Sequence, residues 1–157
     1  MKRACFLIML FAPPAGMAAG DATVDLLSGY RLWPHMKTMI IQPGHPLEGP
    51  FGGIHHIYAN AKAMAGLSSG SYADGAMFVF DLLDYQTQDN TIVETHRKRL
   101  DVMRYERDGF STTGGWDFAS FLPDSQETRV TQDVKKACFA CHVAAKASEF
   151  VFSEFRP

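Results

Sequence analysis

The chain predicts an α+β fold, a predominantly antiparallel β-sheet followed by one C-terminal helix. Three observations carry this. Ala76 to Tyr85 (Ala-Met-Phe-Val-Phe-Asp-Leu-Leu-Asp-Tyr) is a near-continuous apolar run, as expected for a strand covered on both faces. Thr91 to Glu106 returns after the polar stretch Gln86 to Asn90, so the two segments read as an antiparallel hairpin. From about Gln132 to Lys146 the apolar period becomes helical, with Val134, Cys138, Cys141 and Ala145 along one face and Thr131 as N-cap. The four long helical periods of a helix bundle are missing from the middle of the chain.

The 157 residues amount to one domain, enough to bury a real core. Residues 1–20 read as a signal peptide rather than as part of it. Met1-Lys2-Arg3 is basic, Ala4 to Ala12 is apolar, and small residues around Ala15 to Gly20 offer a cleavage site. The apolar run is too short for a permanent anchor, and no later stretch is long enough. The expected product is a single exported domain, residues 21–157, in the periplasm. Cys5 lies within the apolar run rather than after it, which argues against a lipoprotein signal. Cleavage leaves 13 basic against 17 acidic residues, a formal charge of about −4. That balance invites neither nucleic acid nor an anionic membrane.

Taken in order, Thr23 to Leu32 reads as a short helix with Val24, Leu27 and Tyr30 inward, weakened by Gly29. Trp33-Pro34 ends it, because the residue before proline avoids the helical region. Met39 to Ile41 is a short strand, and Pro43 to Pro50, with three prolines and two glycines, a loop. His35 and His45 read as solvated or capping side chains. Phe51 to Asn60 is a strand bent at Gly52-Gly53, which sends His55 and His56 to opposite faces, so at most one of them looks into a given pocket. Asn60 caps a helix from Ala61 to Leu67 that packs Met64 and Leu67, and Ser68-Ser69-Gly70 stops it. On the hairpin, Phe78, Phe80 and Leu82 share a face. Gly114 to Phe118 is a further short strand with Trp116 in the core. Phe150, Phe152 and Phe155 close the core behind the last helix.

That helix carries Cys138-Phe139-Ala140-Cys141-His142, a C-x-x-C-H pattern. Positions i, i+3 and i+4 share one helical face, so two sulfurs can reach the two vinyl groups of one haem while the imidazole comes up beneath its iron. Cys138 and Cys141 are the expected thioether residues and His142 the expected proximal iron ligand, giving one covalent haem c. A zinc site would want further Cys or paired His ligands at knuckle spacing, and none occur. A redox C-x-x-C normally follows a strand early in a βαβ unit. Once Cys5 is removed, the only cysteines are those of the motif, which in an oxidising compartment would otherwise pair with each other. His96-Arg97-Lys98-Arg99 is too short for a nucleic-acid arm and reads as a solvated strand end, one arginine being available to a haem propionate. No Met follows His142, and Met36, Met39, Met64, Met77 and Met103 read as core fillers.

The segments Gly53 to Asn60, Asp74-Gly75-Ala76-Met77-Phe78-Val79-Phe80-Asp81, Arg99-Leu100-Asp101-Val102-Met103, Gly114-Gly115-Trp116, and Cys138 to His142 followed by Phe150-Val151-Phe152 resemble the cytochrome P-460 family. The resemblance runs over about residues 50 to 155. It implies a predominantly antiparallel β fold with a haem-bearing C-terminal helix, one haem c and a homodimer. In cytochrome P-460 proper, a lysine on the strand beginning Asp-Gly cross-links to the porphyrin and the enzyme oxidises hydroxylamine. Phe80 stands at that position here, and a phenyl ring supplies no nitrogen for the bond. The cytochrome c′-β branch has a phenylalanine-capped distal face and a five-coordinate iron that binds NO and CO. Phe80 matches one cap position, and Phe51 is the candidate for the second.

The resemblance therefore implies an exported cytochrome that binds NO and CO in NO sequestration, detoxification or sensing, with no redox partner protein indicated. An enzyme oxidising hydroxylamine or NO is the alternative, in which another lysine, for instance Lys62, reaches the haem. An electron carrier with a sixth ligand from His55, His56 or a Met is the third reading.

Overall fold

A computed structural model describes residues 29–123 and 132–156. The expected signal segment, most of Thr23 to Leu32, the Thr131 cap and the side chain of Val134 lie outside the described residues. Five strands, β1 (His35–Ile41), β2 (Gly53–Ala59), β3 (Met77–Gln88), β4 (Thr91–Tyr105) and β5 (Trp116–Phe121), form one sheet in sequence order. Every neighbouring pair is antiparallel. The expected α+β architecture is present: an antiparallel meander, with α1 (Ala61–Ser69) between β2 and β3 and α2 (Gln132–His142) after β5.

The hairpin is tighter than its polar sequence suggests. Its strands run on to Gln88 and from Thr91, leaving Asp89 and Asn90 as a two-residue turn with φ of 49° and 60°. Both central residues at positive φ match the right-handed twist of the strands, and Asp and Asn tolerate that geometry. Helix α1 starts where the sequence predicts but runs two residues past Leu67 to Ser69, with Gly70 as its left-handed C-cap. Asn60 Oδ1 accepts from the Ala63 amide at 2.9 Å and from the Met77 amide at 3.1 Å, so one side chain caps the helix and ties it to β3.

Four boundaries differ from expectation. Strand β1 starts at His35 rather than Met39, because pairing with β2, and not apolar alternation, supports an edge strand. The expected loop Pro43 to Pro50 contains a helical turn, Glu48–Phe51, so Phe51 sits on that turn and not on the strand. The strand begins only at Gly53, whose φ is +134° and where a Cβ would collide with the Leu83 carbonyl oxygen. Strand β5 starts at Trp116, since Gly114 and Gly115 both turn at positive φ. Helix α2 ends at His142, and a tighter 3₁₀ segment, Val143–Ser148, replaces the expected continuation to Lys146.

The sheet carries two unlike faces. On one, Tyr30 packs over Met77, Val79, Leu100, Val102 and Phe121. Tyr30 belongs to a 3₁₀ turn (Tyr30–Leu32), the only part of the expected N-terminal helix within the described residues. On the other face, Phe78, Met103, Trp116 and Phe118 form a core with Tyr72 and Val151, and Met64, Leu67, Cys138, Phe139 and Phe150 pack against it. Trp116 is fully buried, as expected. The register lines up three rows across this second face: His55, Leu82 and Arg99; Ile57, Phe80, Asp101 and Ser120; Ala59, Phe78, Met103 and Phe118.

Candidate functional site

The site is built where α2 lies against the face that carries Phe80. His142 closes the helix, half-buried, with its ring 5.1 Å from that of Phe118 and 5.2 Å from that of Phe152. Its Nδ1 lies 2.7 Å from the Phe150 carbonyl oxygen. A carbonyl only accepts, so Nδ1 carries the hydrogen and Nε2 keeps its lone pair. That is the arrangement in which a histidine serves as a metal ligand, the far nitrogen being fixed by a backbone carbonyl. Burial pushes this imidazole below its ordinary value, with the Phe150 contact opposing.

The carbonyl is itself held in place. Glu149 and Phe150 both adopt positive φ, 54° and 65°, unusual for residues with side chains. The two left-handed residues offer successive carbonyls to different donors, Glu149 to Trp116 Nε1 at 2.8 Å and Phe150 to His142. The buried indole thus anchors the segment that orients the imidazole.

Cys138 is half-buried and Cys141 exposed, and both are free thiols. Burial raises the Cys138 thiol, Asp101 raises it further and Arg99 lowers it. Cys138 packs against the core that contains Phe78, Met103 and Phe118, on the sheet face that also carries Phe80 and Asp101.

On the same face, the half-buried rings of Phe51 and Phe80 meet edge to face at 6.0 Å. His55 lies beneath them, fully buried, its ring 4.5 Å from Phe80 and 6.5 Å from Phe51. His56 points the other way, as predicted, to Thr38 and Glu94. Arg99 donates through Nε to Asp101 Oδ2 at 2.8 Å and stacks 4.7 Å over the Phe51 ring.

Residues 27–153 match the family model for Cytochrome P460. The chain belongs to the cytochrome P460 family. No curated protein matches it. Membership makes the chain a haem-binding cytochrome, and the residues present fit such a group. Two free thiols and an imidazole with an available Nε2 occupy one stretch of helix. The sheet face opposite carries half-buried rings, together with two buried polar atoms, His55 Nδ1 and Asp101 Oδ1, that have no partner among the described residues.

Several expected placements change. The His96 to Arg99 segment is not simply a solvated strand end, since Arg97 pairs with buried Asp81 and Arg99 is four-fifths buried against Asp101. Lys62 is tied by Nζ to the Asp74 carbonyl at 2.8 Å, beside Gly75 and away from Phe80. Phe152 and Phe155 are largely exposed, so of the three C-terminal phenylalanines only Phe150 packs against the core. Met39 is also exposed, unlike a core filler. Sequence reasoning missed Arg99, Asp101 and Phe118 as members of the site. Strand alternation puts residues 99, 101 and 103 on one face, but only the register across β3 and β4 shows which face that is.

Proposed function

We propose that this cytochrome is an exported c-type protein with one covalent haem and an aromatic-capped ligand side, which binds NO and CO. Cys138 and Cys141 would form the thioethers, and His142, its Nδ1 bonded to the Phe150 carbonyl, would offer Nε2 to the iron. A haem held in this way would supply an iron able to bind a diatomic gas. The observation that carries the reading is the packing of Phe80 on Phe51, with Phe80 at the position the family's cross-linking lysine would take.

The chain's own groups account for the selectivity. Two phenyl rings offer no hydrogen-bond donor, so a diatomic that gains charge on binding, such as O₂, finds none from them. NO and CO need a donor much less. The enzymatic alternative requires a lysine near the porphyrin, and Lys62 and Lys98 are instead bonded to the Asp74 and Gly52 carbonyls. The mature domain is residues 21–157, periplasmic and homodimeric in this reading, acting in NO sequestration, detoxification or sensing.

The test is the absorption spectrum of the reduced protein before and after addition of NO. An unmodified high-spin haem c spectrum that changes on NO addition is expected. A broad, strongly red-shifted Soret band would mean a modified porphyrin and overturn the reading in favour of hydroxylamine oxidation. A low-spin spectrum indifferent to CO would mean a sixth protein ligand.

A further inference from the structure

Phe51 comes from a part of the chain with little packing of its own. Residues 42–50 are all exposed, and the four-residue turn Glu48–Phe51 buries none of its members. Gly44 before it and Gly53 after it both adopt positive φ, 90° and 134°. An open cleft of about 540 Å³, lined by Glu48, Gly49 and Gly52 and by Asp84, Tyr85 and Thr87 of β3, leaves the turn unpacked on that side. A short exposed segment between two glycines has the make-up of a lid.

Three side chains of the sheet fasten this segment. His55 Nε2 donates to the Phe51 carbonyl, Lys98 Nζ donates to the Gly52 carbonyl at 2.8 Å, and Arg99 lies 4.7 Å over the Phe51 ring. Two successive carbonyls are thus held from β2 and β4. The other nitrogen of His55, Nδ1, is buried without a partner among the described residues. For packing against Phe80 alone, a leucine would fill the place and strand no polar atom. What the imidazole adds there is its bond to the Phe51 carbonyl.

We propose that His55 and Lys98 are positioning residues that latch the Phe51 turn closed, and so set how fast a small neutral ligand enters and leaves without touching it. The inference rests on Phe51 lining the ligand side of the haem. A latch changes entry and exit by the same factor, because both wait for the same opening. Affinity then stays where it was, whereas a residue in contact with the ligand changes it.

CO association is measured by flash photolysis of the holoprotein, and CO dissociation by displacement with NO. His55→Leu is expected to raise both rates about tenfold and Lys98→Met both about threefold, with the CO Kd within about twofold of its starting value. His55→Gln, whose amide nitrogen falls near the Nε2 position, and Lys98→Arg, which keeps a donor, restore the slow rates. Hydrogen exchange read by mass spectrometry follows the turn itself. In His55→Leu and Lys98→Met the peptide from Leu47 to Gly53 exchanges faster, while that from Lys135 to His142 is unaltered. Lys98 is exposed, so its variants test the latch even where His55→Leu fails to fold.

A Kd that moves with one rate alone would make the substituted residue a ligand contact and overturn the latch. Unchanged rates, faster rates without faster exchange at the turn, or no rescue by Gln and Arg would overturn it too, with Phe51→Ala still speeding CO entry. If Phe51→Ala leaves CO entry unchanged, the reading of the ligand side falls together with the latch.

Discussion

His55 and His56 are neighbours in the chain, as are Phe80 and Asp81, yet each pair is divided by the sheet. His55 and Phe80 lie on the face covered by α2, among aromatic rings and two acceptors without donors. His56 and Asp81 lie on the opposite face, where among the described residues no buried side-chain polar atom lacks a partner. Asp81 is fully buried and accepts from Tyr30 at 2.6 Å, from Arg97 Nε at 2.7 Å and from Arg31 at 3.0 Å. Burial and this carboxylate push the Tyr30 phenol up to about 12. One face spends its buried charge on holding the N-terminal turn to the sheet. The other leaves two buried acceptors, His55 Nδ1 and Asp101 Oδ1, without a partner among the described residues.

The sharpest test of this division is Asp81→Ala. It removes the buried carboxylate shared by Tyr30, Arg31 and Arg97 and leaves a void, and should cost about 3–5 kcal/mol of stability, with CO and NO affinities of the folded holoprotein unchanged. Denaturant midpoints and a CO titration measure the two halves. A matching loss of ligand affinity would mean that the faces are coupled. Phe80→Ala should behave inversely. Its ring is half-buried, so about 1–3 kcal/mol of stability is lost, while NO and CO binding rates rise as the cap opens. Unchanged rates by stopped flow would remove Phe80 from the ligand side.

Acidification separates the faces more gently. His55 titrates below its unfolded value, which is about 6.5. The unfolded chain therefore binds the proton first, and stability falls as pH drops through about 6.5 toward the folded value. His55→Leu should flatten that part of the stability profile, read as denaturation midpoints between neutral pH and mild acid. An unchanged slope would show that His55 is not buried as a neutral ring. His56→Ala is the smallest effect. Its pair with Glu94 at 2.9 Å is solvent-exposed, so less than about 1 kcal/mol is expected by denaturation and no change in ligand binding.

Much of this division was legible in the sequence. The hairpin, the opposite orientation of His55 and His56, the Asn60 cap and the haem motif on a terminal helix all follow from local periods and spacings. Which of the two histidines enters the pocket does not, because alternation defines two faces without saying which one is covered. The place of Phe51 was hidden for a related reason. Gly52-Gly53 reads as a bend in a strand, whereas the close approach of the Leu83 carbonyl at Gly53 starts the strand there and leaves Phe51 on a helical turn. Arg99 looked like part of a basic, solvated strand end until the register set it across from Leu82, in the row next to Phe80 and Asp101.

The paired left-handed residues Glu149 and Phe150 tie two parts of the molecule into one cooperative unit. Their carbonyls hold the core indole and the His142 imidazole through a single peptide link, so the imidazole has little freedom to swing away while the core stays intact. Local opening of the last segment would release both bonds together. On slow heating, Trp116 emission and the haem absorbance should then report one transition, and the orientation of His142 would be lost only when the domain itself comes apart.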